Sequence, residues 1–153
     1  DATDVGHVEP NAFVRAQASR DLLLQQGNYT EAERVTMSFL EVNPNSLPAL
    51  RTLARNIYYP QNRLGEAIAM QQQVIQLSAN DPNLWDDQRV LAYFLFQTGQ
   101  VQPALDVAQQ ALNNAPPDNK ADLQSLVDQL QAQLSGAVPQ PQELPTAAPT
   151  PAQ

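Results

Sequence analysis

The chain has 153 residues, with 16 acids against 8 bases, one histidine and no cysteine. That length suits a single domain with a continuous core, and the absence of cysteine removes disulfides, thiolate metal sites and cysteine nucleophiles together. A net charge of -8 sets the molecular field against nucleic acid and anionic membrane surfaces.

Residues 1–10, DATDVGHVEP, read as an extended segment that contains His7, the sole histidine. They carry no initiator methionine, basic leader or apolar run of spanning length, so the expectation is a trimmed cytosolic chain or one from which a leader or anchor has been removed. A first helix is expected near 11–26, with Phe13, Ala16, Leu22 and Leu23 inward and Gly27 as its stop. Thr30, with Glu33 three residues on, has the spacing of a capping box and opens a second helix. Its buried stripe reads Val35, Phe39, Leu40 and Val42, and Pro44 ends it.

Pro48, tolerated in a first turn, opens a third helix through Leu50, Leu53, Ala54 and Ile57, which YPQN at 59–62 breaks. Helices near 64–78, 83–98 and 101–114 follow. A seventh, near 119–134, places Leu123, Leu126, Val127, Leu130 and Leu134 on one stripe and polar residues opposite, as a terminal element requires. The last stretch, 135–153, holds five prolines and one charge, Glu143, and reads as an extended Pro-rich tail or linker.

The punctuation repeats. Gly27 and Gly99 are each followed five residues later by alanine (Ala32, Ala104), and each alanine twelve residues later by proline (Pro44, Pro116). A weaker copy between them carries Ala67 and Pro82, and the three alanines are 35 and 37 residues apart. Such a period without β-type alternation indicates helical hairpins, each leaving an apolar face that only a neighbour can cover.

On Gly27, Tyr29, Ala32 and Pro44, then Ala54, Ala67 and Pro82, then Ala92, Gly99, Ala104, Ala111 and Pro116, the chain resembles the tetratricopeptide repeat family. The resemblance implies an all-α solenoid of about seven helices in a right-handed superhelical stack over 11–134. Its repeats would span 11–46, 47–82 and 83–118, with a capping helix at 119–134. Three departures stand out: Arg20 occupies a small-residue position, Gln61 replaces a turn glycine, and the second unit is too long around SANDP.

Little here could carry catalysis. His7 has no second histidine or cysteine with which to form a ligand set, and no nucleophile elbow, phosphate loop or zinc-protease motif occurs. Asp86 and Asp87 leave a helix in different directions and do not make a carboxylate pair on one face. No catalytic residue, metal or cofactor is expected.

Binding has more to work with. In tetratricopeptide stacks the first helix of each hairpin lines a concave groove, and the resemblance implies that Arg51, Arg55, Tyr58, Tyr59, Arg89, Tyr93 and Phe96 face it. Arg51 and Arg55 share a helix face at i,i+4, and guanidinium forks bind carboxylates and stack on tyrosine. The competing reading pairs these arginines with acids of neighbouring helices and sends the aromatics to the core.

The expected function is a non-enzymatic scaffold that binds a peptide or protein segment with carboxylate groups, and neither nucleic acid nor a membrane interior. The alternative is a structural subunit of a membrane-associated or polymeric assembly that self-associates through its edges, convex face or tail. A single lysine (Lys120) beside 21 glutamines, together with the Pro-rich tail, favours a bacterial cell-envelope setting at the periplasm or cell surface, with the cytoplasm as the alternative.

Overall fold

A computed structural model describes residues 10–136; residues 1–9 of the expected N-terminal segment and most of the Pro-rich tail lie outside them, while Pro10 belongs to the first helix. The helices are α1 (Pro10–Gln25), α2 (Tyr29–Val42), α3 (Leu47–Thr52), α4 (Leu64–Leu77), α5 (Leu84–Gln97), α6 (Val101–Asn114) and α7 (Lys120–Ser135). From Thr52 the third helix continues as a π-helical turn over Leu53–Tyr58 and a 3₁₀ turn over Tyr59–Gln61. Each helix packs mainly on its neighbours in sequence, which makes a stack of three hairpins closed by α7.

The three hairpin turns close in the same way. Asn28 donates its backbone N–H to Leu23, Arg63 to Tyr58 and Gln100 to Leu95, at 2.9, 3.0 and 2.9 Å. Each closure needs a left-handed residue just before the donor, which Gly27 (φ 69°), Asn62 (φ 58°) and Gly99 (φ 78°) provide. Asn62, not Gln61, therefore stands in for the turn glycine of the second unit. Gln61 caps instead, donating from its side chain to the carbonyl of Ile57 at 2.7 Å.

Alanines set the helix spacing. Ala32, Ala54, Ala67, Ala92, Ala104, Ala108 and Ala111 have no exposed surface, and side chains this small let the helices they join pack closely. Ala92 lies seven residues before Gly99, whereas Ala54 lies eight before Asn62. The π turn absorbs the difference. Pro60 has no N–H for the Asn56 carbonyl and its ring would press on that group, so the helix widens ahead of it and the Tyr59 amide bonds to Ala54 instead.

One helix start differs from expectation. Asn28 rather than Thr30 caps α2, its side chain accepting from the Glu31 amide at 3.3 Å. Glu33 is therefore free to pair with Arg63, whose Nη1 lies 2.7 Å from it and whose Nη2 lies 2.6 Å from Glu66. That guanidinium also covers the Tyr58 ring at 4.4 Å and ties α2 to the start of α4. Both carboxylates help to raise the Arg63 pKa above its usual value, Glu66 most.

The core divides into a cluster between the first two hairpins and α5, around Leu53, Ile57 and Phe94, one among α5, α6 and α7, around Leu95, Leu105 and Leu130, and a small one of Ala111, Ala115 and Leu123. Leu22 and Val42, expected in buried stripes, are 55 % and 80 % exposed. Both belong to the first hairpin, which among the described residues has a neighbouring hairpin on one side only.

Arg20 lies seven residues before Gly27, in the first unit's close-approach position, and is 3 % exposed. Its Nε has no hydrogen-bond partner among the described residues, and burial lowers its pKa. Retaining the stem while removing the charge should help. We expect Arg20→Met to raise unfolding stability by about 1–3 kcal/mol, seen as a higher urea midpoint; a lower midpoint would show that the guanidinium is compensated.

Candidate partner-binding face

The sequence-predicted site residues fall into three groups. Arg51 and Arg55 leave the α3 side of the stack and meet α5. Arg51 grips Asp87 with two parallel bonds, Nε to Oδ1 at 2.9 Å and Nη2 to Oδ2 at 2.6 Å, and lies 3.6 Å from Asp81. Arg55 donates from Nη1 to Asp86 at 2.9 Å and from Nη2 to Asp87. Arg89 closes the row on the other oxygen of Asp86, at 2.6 Å.

Three guanidiniums and three carboxylates thus form one neutral network between the second and third hairpins. Asp86 and Asp87 do leave α5 differently, since Asp87 has no exposed side-chain surface and Asp86 has 26 %, but Arg55 reaches both. Asp81 joins from the long loop, where its other oxygen accepts from the Asn83 amide at 2.7 Å. The extra residues of SANDP therefore carry a network member.

The aromatics separate. Tyr58 is almost fully buried in the first core cluster, on the side covered by Arg63, and offers no binding surface. Burial, followed by the Glu33 charge, raises its hydroxyl pKa. Phe96 is partly buried against the second cluster. Tyr59 stacks on Phe94 at 4.9 Å and meets Tyr93 at 6.1 Å, and the hydrogen bond with Tyr93 raises the Tyr59 pKa. Tyr93 is 44 % exposed.

What the fold assembles into one face is therefore Tyr59 and Tyr93 beside the outer edge of the network at Arg89. Asp86, Arg89 and Tyr93 lie at i, i+3 and i+7 on α5, so they share one side of it. Farther along, Trp85, Asp86, Arg89, Asn119 and Asp122 line a cleft of about 240 Å³ between α5 and the start of α7. Trp85 packs against Ala111, Ala115 and Leu123, while its remaining surface borders the cleft.

The fold is a tetratricopeptide-type stack. Among solved structures, the Yersinia enterocolitica type III secretion translocator chaperone SycD is similar, with a TM-score of 0.72 over 88 % of this chain and 93 % of that one, at 12 % sequence identity. No family model matches the chain, and no curated protein matches it in sequence. Among the described residues, no group of three or more His, Cys, Asp or Glu is placed to hold a metal, and no helix is long and apolar enough to cross a membrane.

Removing one member of the network leaves buried charge without a partner. Asp87→Asn should destabilise the domain by about 3–5 kcal/mol, measured by chemical denaturation, whereas an exposed acid such as Asp106 should tolerate the same change. Acid acts through Asp86. Burial alone would raise its pKa, but hydrogen bonds from Arg89 and Arg55 outweigh that and hold it below the ordinary value. A depressed folded pKa means that the unfolded chain takes up the proton more readily. The stabilisation is thus complete above about pH 4 and is lost as pH falls further. Asp86→Asn should flatten this acid limb.

Proposed function

We propose that this domain is a non-enzymatic scaffold that binds a peptide or protein segment across the face shared by α3 and α5. The observation that carries this reading is the exposed Tyr93, backed by Tyr59 and flanked by Arg89 on an otherwise neutralised, rigid surface. Aromatic groups held in place by their neighbours lose little entropy on binding and are favoured as contact anchors. SycD, described as a type III secretion translocator chaperone, supports the reading, because this fold serves a chaperone there.

Arg51 and Arg55 act in this proposal as the support beneath the face, and Arg89, Tyr59 and Tyr93 as its contact groups. Charge reversal at Arg51 or Arg55 is consequently a stability experiment more than a binding one. We also propose a bacterial cell-envelope setting, supported by the composition and the Pro-rich tail alone.

Panning a random peptide display library against the full chain tests the reading. Sequence-related peptides should be enriched, and Tyr93→Ala should weaken them by about 2 kcal/mol, roughly thirtyfold, with helicity and thermal midpoint retained. Enriched peptides that bind Tyr93→Ala equally well would place the contact elsewhere.

A further inference from the structure

The arginines suggested a carboxylate-bearing partner, but their charge is already matched. Arg51, Arg55 and Arg89 face Asp81, Asp86 and Asp87, three against three. The other carboxylate lining this cleft is Asp122, in the first turn of α7, for which the described residues provide no hydrogen bond or ion pair. The cleft beside Tyr93 thus carries two carboxylates, Asp86 and Asp122, against one guanidinium, Arg89. Trp85 forms its aromatic wall.

Resting on the binding face proposed above, we infer that the bound segment is basic: it places a Lys or Arg side chain in the cleft between Trp85 and Asp122 and an adjacent apolar side chain on Tyr59 and Tyr93. The chemistry of the lining selects this occupant. A cation over an indole face is attracted by the ring quadrupole. Asp122 can accept its N–H donors without surrendering any existing bond, whereas Asp86 already serves Arg55 and Arg89. An acidic side chain would meet excess negative charge here and a guanidinium row whose donors are directed at internal oxygens.

A bare divalent ion fits less well, since such ions require several converging oxygens and one unengaged carboxylate does not furnish them. The size is suitable, because about 240 Å³ admits a side-chain head but not a folded element. The whole-molecule charge of -8 works in the same direction, speeding encounter with a basic segment and making it salt-sensitive.

The peptides enriched by the full chain decide this. Lys or Arg should recur at one position next to an apolar residue, and binding should weaken as salt is raised. Asp122→Asn should reduce affinity about tenfold, as expected for loss of a charge-assisted bond, and Asp122→Lys should reduce it further. Retained helicity would show that both variants are folded. Because Asp122→Asn changes only the carboxylate and leaves the size of the side chain, it keeps the test valid if the lysine variant fails to fold.

Enriched peptides that are acidic or uncharged, or basic peptides that bind Asp122→Asn undiminished, would overturn the inference. Loss of binding on Tyr93→Ala without any effect at Asp122 would leave the binding face standing and remove only the basic partner. Indifference to Tyr93 would instead reject the face itself.

Discussion

Asp87 is a carboxylate with no exposed side-chain surface, held in the middle of a helical stack. An ion so placed loses its hydration and destabilises the fold by several kcal/mol unless fixed donors replace the water. Arg51 supplies a two-pronged grip and Arg55 a third donor, while the backbone oxygen of the same residue receives the side-chain amide of Gln71 at 2.8 Å. One residue of α5 therefore sets the position of α3 and α4 together. The register of the second hairpin against the third follows from satisfying this one group.

The π turn gains its meaning from that requirement. With an unbroken α-helix to the turn, the close-approach position seven residues before Asn62 would fall to Arg55, as it falls to Arg20 in the first unit. The inserted residue gives the position to Ala54 and turns Arg55 toward Asp86 and Asp87. Arg20 received no such adjustment and stays buried, its Nε without a hydrogen bond among the described residues and only the adjacent Asp21 charge to offset its desolvation. The two arginines are equivalent in the repeat, and a single backbone defect separates a member of the network from a buried guanidinium outside it.

A neutral network also determines what the exposed face can offer. Charges that hold each other in fixed geometry make a rigid floor and leave few directed donors for a ligand. The groups that remain available are aromatic surface at Tyr59 and Tyr93, part of Trp85 and one carboxylate at Asp122. Recognition therefore shifts from the arginines themselves to the groups standing around them.

Much of the fold was legible along the chain. Turn glycines, interhelical alanines and terminal prolines act within a few residues of where they occur, so their spacing alone determined three hairpins, a polar-faced last helix and boundaries good to a residue or two. Local chemistry misled where two nearby groups could do the same task, as with Asn28 and Thr30 at the α2 cap or Gln61 and Asn62 at the second turn. The site was less legible. Arg51 and Asp87 are 36 residues apart, and no local pattern states that one will neutralise the other. Tyr58 and Tyr59 are neighbours whose separation into core and surface depends on the π turn between them and Ala54. By itself the sequence determined the architecture, because repeat punctuation is short-range. Only the tertiary structure decided which charges were already satisfied, because that depends on which helices the stack brings within hydrogen-bond reach.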